Sequence, residues 1–271
     1  MSDGDAPPLA PAPPPGASAR RLRRAPEQRE MALILGLAFF LNLFPGSLLQ
    51  WLHFRWGLLL TQTLFIAGPA VLAIRWFYLD GRVVLRLRRP SLAALGGTAL
   101  ATAGLNHLLN LAGAWQDRVF PMPEALRVLW EGLLAYHGPR DFALLILLFG
   151  VVPAICEEIL FRGFLQAGFV QVLESPAKGI ALTALVFAGF HLDPWRFPTL
   201  LVLSLFLGYL AHATGSLAPP ILAHALNNVM SISLADASGQ GSGALGASAP
   251  GILGALVLCA AGMLLVRRSA A

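Results

Sequence analysis

Eight stretches of apolar residues run along this chain between short polar segments, at 31–50, 57–79, 91–114, 141–168, 178–192, 199–213, 216–235 and 250–266. Each reaches or approaches the roughly 20 residues that a helix needs to cross a ~30 Å hydrocarbon layer. They are too many to be one signal peptide. The pattern predicts an all-α, polytopic membrane protein with about eight transmembrane helices. Ahead of the first stretch, residues 1–28 are rich in Pro and Ala and end in Arg20, Arg21, Arg23 and Arg24, with almost nothing apolar to bury. That composition predicts a disordered cytosolic tail, with residues 29–271 forming the transmembrane domain.

Composition points the same way. Of 271 residues 56% are hydrophobic and 12% charged, and the mean hydropathy is +0.68, more apolar surface than a water-soluble core of this size could hide. The charges also set an orientation. Basic residues cluster before the first span, between the second and third (Arg82, Arg86, Arg88, Arg89) and after the eighth (Arg267, Arg268). If every span crosses, all three clusters share one side, and the positive-inside rule puts both termini in the cytosol. Residues 115–140 and 236–249 are then external, the first mixing charge with Trp115, Trp130 and Tyr136, the second rich in Ser, Gly and Ala. Because lipid-flanking arginines account for the net charge of +5, no nucleic-acid partner is implied. Cys156 and Cys259 form neither a CxxC nor a spaced pair, so they are expected to pack. No internal repeat is visible, against a transporter built on inverted repeats.

Ionisable groups inside membrane helices are costly and therefore functional candidates by default. Between residues 141 and 236 the carboxylates well inside an apolar run are Glu157 and Glu158, in Val-Val-Pro-Ala-Ile-Cys-Glu-Glu-Ile-Leu-Phe-Arg-Gly-Phe. On a helix Glu158 and Arg162 share a face at i and i+4 and can pair, while Glu157 points about 100° away without a local partner. A desolvated carboxylate beside a second one is the setting a general base near neutrality needs. A second site is Phe187-Ala-Gly-Phe-His191, where Gly189 is expected to let a neighbouring helix approach. A third is His224-Ala-Leu-Asn-Asn228, whose His and second Asn share a helix face and can donate hydrogen bonds into one cavity. Glu174, Asp193, His107 and His212 stand alone and are expected to be structural or interfacial.

Depth is an independent check. Counted from the basic side at 1.5 Å per residue, Glu157 lies about 16 Å below Gly168, His191 about 20 Å from Lys178 and His224 about 12 Å from Ser216, so the three share a level. The helix that carries Glu157 must then be about 40 Å long and tilt, protrude or bend, with Pro153 as the bend. The expected result is a wet pocket opening toward the cytosol.

Glu-Glu-x-x-x-Arg at 157–162, Phe-x-x-x-His at 187–191 and His-x-x-x-Asn at 224–228, in that order, resemble the CPBP (Abi) family of intramembrane proteases, which includes the type II CAAX prenyl endopeptidases. The resemblance covers a core of about 140–235. It implies an endopeptidase acting on a peptide or membrane-protein substrate near the cytosolic face. Glu157 would activate water with help from His191, His224 and Asn228 would hold the oxyanion, and Glu158 and Arg162 would support them. The chemistry agrees, since peptide hydrolysis needs a base for water and donors aimed at the developing charge. Glu157, His191 and His224 would also satisfy a catalytic Zn²⁺ with an open position, and the family carries a metalloprotease label. The same residues can work without metal. The Ala/Leu/Arg-rich composition fits a bacterial plasma membrane, so a prenylated substrate is not carried over. The alternative is a non-catalytic immunity, scaffold or permease-like protein whose polar cluster only holds helices together. Nothing in the sequence sets an oligomeric state.

Overall fold

Prolines interrupt the long apolar runs without ending them. In the computed structural model, which describes residues 24–238 and 248–270, three such prolines are attended by a π-helical turn. Pro45 lies inside the turn Asn42–Gly46, Pro69 follows Thr61–Ala67, and Pro153 follows Ile146–Val151. A proline has no N–H to donate and crowds the carbonyl four residues back, and a wider turn relieves both problems while the helix continues. A fourth π turn, Ile159–Leu165, contains no proline and directly follows the two glutamates.

The described residues form helices and no strands, apart from one isolated bridge between Leu87 and Ser216. Six helices are long and apolar enough to cross a membrane: α1 (Gln28–Leu52), α2 (Phe54–Trp76), α3 (Leu92–Val119), α5 (Pro139–Val172), α7 (Phe197–Thr214) and α9 (Ala249–Ser269). Between them stand α4 (Glu124–Leu134), the apolar but shorter α6 (Pro176–Phe190), and α8 (Ala218–Ser238). Each expected span falls on one of these helices, but among the described residues six of them, not the expected eight, have crossing length and apolarity, and α6 and α8 are not among those six. The segment 115–140, expected as an external loop, instead continues α3 by more than a turn to Val119 and then forms the amphipathic α4. Of the expected tail, residues 1–23 lie outside the described residues, as do 239–247 of the second external segment.

α5 is the spine. Its 34 residues give about 51 Å of helix, longer than the expected 40 Å and well beyond a ~30 Å hydrocarbon layer. Around its second half, Phe161, Phe164 and Leu165 pack with Met31 and Ile34 of α1, Ile66 and Ala70 of α2, and Phe187 of α6. A second cluster joins Leu203, Leu207 and Leu210 of α7 to Ala223 of α8 and Val266 of α9. α3 and α9 approach through small residues: a Cβ at Gly104 would stand 2.3 Å from the Ala255 carbonyl oxygen. The outward faces of the long helices remain apolar, with Trp51, Trp76 and Leu92 exposed, as lipid-facing surfaces must be. Cys156 is buried and Cys259 half-buried, both as free thiols.

The helix ends fall into two groups. At one end, Arg24 donates to Glu30 and to the Phe77 carbonyl, Ala25 N–H donates to Gln171, and Arg86 donates to the Ala211 carbonyl, so the start of α1, the ends of α2, α5 and α7 and the 77–91 segment lie together. At the other end, Arg55 pairs with Asp141, and Trp195 donates to the Pro121 carbonyl. These contacts join the starts of α2 and α5 to the end of α3 and the α6–α7 connection.

Candidate active site

The adjacent glutamates lie deep in α5 and face different surroundings. Glu158 and Arg162 are fully buried, and Arg162 Nη1 donates to Glu158 Oε1 at 2.7 Å, the i,i+4 pair that the spacing predicts. The same carboxylate oxygen is 2.8 Å from His224 Nδ1. Arg162 Nη2 donates to Ser204 Oγ at 2.6 Å and to the Ser204 carbonyl at 3.2 Å, and its guanidinium lies 4.5 Å from the centre of the Phe187 ring. One turn further on, Gln166 Nε2 donates to the Gly208 carbonyl at 2.9 Å. Only a glycine leaves that room, since a Cβ at 208 would meet Gln166 Oε1 at 2.9 Å. The close approach expected at Gly189 does not occur, because a Cβ there would meet nothing within 4 Å.

Glu157 faces a cavity of about 700 Å³. Its Oε1 accepts from Gln62 Nε2 of α2 at 3.0 Å, and its buried Oε2 has no hydrogen-bond partner in the protein. Two imidazole nitrogens face that oxygen, His191 Nε2 and His224 Nε2, each at 3.8 Å. His191 caps α6, which lets its ring leave the helix and reach over the cavity, where 29% of the side chain is exposed. Its Nδ1 is 2.8 Å from the Phe187 carbonyl. A carbonyl only accepts, so Nδ1 carries the proton and a neutral ring presents a lone pair at Nε2. Asn228 also lines the cavity, one N–H committed to the Phe149 carbonyl at 3.2 Å and the other left over. Thus Glu157, His191, His224 and Asn228, drawn from α5, α6 and α8, converge as the sequence expects. Of the residues expected to stand apart, Asp193 pairs with Arg196.

Sequence reasoning missed Gln62, Ser204 and Asn106. Asn106 of α3 donates to Asn227 and Ser231 of α8, closing one wall of the cavity. Neutral polar residues scattered through apolar runs have no spacing signature, and each of these finds its partner on another helix.

The donors Glu157, His191 and His224 are of the kind that zinc takes, and as placed they stand a few tenths of an ångström wider apart than the ligands of one ion. Ligands of one tetrahedral zinc stand about 3.4 Å apart, given ~2.1 Å bonds, and here both nitrogens are 3.8 Å from the carboxylate oxygen. Among the described residues no group of three His, Cys, Asp or Glu is placed to hold a metal.

The cavity opens at an unexpected end. It runs from Glu157 and His224 past Asn228 to Gln50, Trp130, Leu134 and Arg196, which belong to the end opposite the basic segments. Cytosolic basic loops and a pocket open to the cytosol, both expected from the sequence, do not fit together in this structure.

Membrane-length helices around an interior cavity with an acidic and imidazole lining define an integral membrane protein with a buried polar site. Residues 139–230 match the family model described as type II CAAX prenyl endopeptidase Rce1-like. The match runs from the start of α5 into α8 and contains all seven motif residues, whereas Gln62 lies outside it. No curated protein and no solved structure matches the chain.

Proposed function

We propose that this protein is an intramembrane endopeptidase in which Glu157 activates water for attack on a peptide bond. The reading rests above all on one observation: a carboxylate oxygen without a hydrogen-bond partner in the protein faces a cavity with two imidazole nitrogens 3.8 Å away. The family-model match over residues 139–230 supports it. A cluster that only held helices together would have no reason to turn a carboxylate and two imidazoles into open space. Glu158 illustrates that other case, since it is fully buried and does not line the cavity.

In this reading the neutral His191 accepts a hydrogen bond from the water at Nε2, and Glu157 Oε2 takes a proton from it as the oxygen attacks the scissile carbonyl. Gln62 holds Oε1, so that Oε2 stays directed at the water. Two carboxylates and one guanidinium leave the buried cluster one positive charge short. A proton on His224, held through Nδ1 by Glu158, closes that balance and makes Nε2 a donor. His224 and the remaining N–H of Asn228 then face the oxyanion of the tetrahedral intermediate. Collapse of the intermediate breaks the C–N bond, and Glu157 returns the proton to the departing amine. No step passes through a metal. The proposal covers peptide hydrolysis at a bilayer and does not extend to prenylated substrates.

The test is cleavage of membrane-proximal peptides by purified protein in detergent, read by mass spectrometry. Glu157→Gln and His191→Ala are expected to lose cleavage while keeping the thermal unfolding transition of the parent. Cleavage by either variant at the parent rate would overturn the assignment.

A further inference from the structure

The bundle is closed at one end and open at the other. Beneath Glu157, the fully buried Glu158, Arg162 and Gln166 fill the space between α5 and α7. Below them Arg86 donates to the Arg162 carbonyl at 3.2 Å and to the Ala211 carbonyl at 3.3 Å, and Leu217 N–H donates back to the Arg86 carbonyl at 3.4 Å. Burial lowers the Arg86 guanidinium from its ordinary value, consistent with a cation used as a plug rather than a surface charge. Toward the other end the cavity is bounded by α4 and by Arg196, which stacks 4.2 Å over Trp130.

The two ends also differ in charge. At the closed end, segments 24–30, 75–91, 174–178 and 267–268 hold ten Lys or Arg against four Asp or Glu. At the open end, segments 50–55, 114–141, 191–196 and 233–238 hold five against six. Lys and Arg near span ends are retained in the cytosol, so the closed end faces the cytosol and the mouth faces outward.

We infer that the site takes its substrate from the external face of the membrane, as an extended peptide segment presented opposite the basic loops. The peptide part rests on the function proposed above; the sidedness does not. The wall between mouth and Glu157 suits such a ligand. Asn106, Asn110, Asn227 and Ser231 form a chain of neutral donors and acceptors from α3 to α8, the same chemistry that a peptide main chain carries. Arg196, the cation that borders the cavity, is already engaged, its Nε donating to Asp193 at 2.6 Å.

Single cysteines test the side of access. In a Cys156→Ala, Cys259→Ala background, Glu131→Cys and Leu134→Cys probe the mouth and Arg82→Cys the closed end, with a membrane-impermeant maleimide applied to intact cells and to inverted vesicles. The expected result is labelling of both mouth cysteines in intact cells, with Arg82→Cys labelling absent there and present in inverted vesicles. The reverse pattern, or labelling of all three from one side, would overturn the inference. Labelling needs no turnover, so adding Glu157→Gln to each variant separates the side of access from catalysis.

Discussion

Glu157 and Glu158 are neighbours in the chain, and about 100° of helix rotation puts them in different media. Glu158 is fully buried and shares one oxygen between Arg162 and His224, with Ser204 holding the guanidinium from α7. Glu157 touches the protein through Gln62 and turns its other oxygen to a cavity. The pair shows how a membrane protein keeps a reactive carboxylate in a low-dielectric interior. One acid is neutralised by a cation and fixes the helices, and the second, anchored by its neighbour's rigidity, is left free for chemistry. The difference comes from what faces each side chain across the bundle.

That contrast can be broken from either side. Glu157→Gln should lower cleavage by about 10²–10⁴-fold, the usual worth of a general base, with the melting temperature unchanged. Arg162→Met should act in the opposite sense. It strips a buried carboxylate of its cation, a loss of about 3–5 kcal/mol, and should show as a lower melting temperature and poor recovery in detergent. Ser204→Ala removes a hydrogen bond to the same guanidinium and should cost about 1.5–3 kcal/mol, read by the same unfolding transition. Gln62→Leu should leave folding intact and reduce kcat about tenfold, a barrier change of about 1.4 kcal/mol, with KM little altered, because it frees the carboxylate to rotate. The smallest expected effect is that of a chelator. Given the spacing of the donors, cleavage by the purified protein should survive it, and loss of activity restored by zinc would put a metal between Glu157 and the histidines.

The helices and the motif residues were legible in the sequence because both rest on local rules. Apolar runs of membrane length predict spans, and i,i+4 spacing predicts the Glu158–Arg162 pair. Depth counting predicted that Glu157, His191 and His224 share a level, and their atoms meet at 3.8 Å. What stayed hidden depends on packing between distant segments. Gln62 is 95 positions from Glu157, in a run of ordinary composition. Gly189 read as a packing site, but the contact falls at Gly208, opposite Gln166. α4 lies in a segment of mixed charge whose apolar residues are too few for a span, and it bounds the cavity all the same. The direction of opening was misjudged because depth gives a level and not a lid, and the lid is built from Arg86, Gln166 and Leu217.

The central claim is that water activated by Glu157 cuts peptide bonds. It is tested most directly by incubating membranes that contain either the parent protein or Glu157→Gln in H₂¹⁸O and sequencing new peptide termini. The account predicts new C-termini carrying ¹⁸O with the parent protein and none with the variant. The same set of termini from both membranes would contradict it.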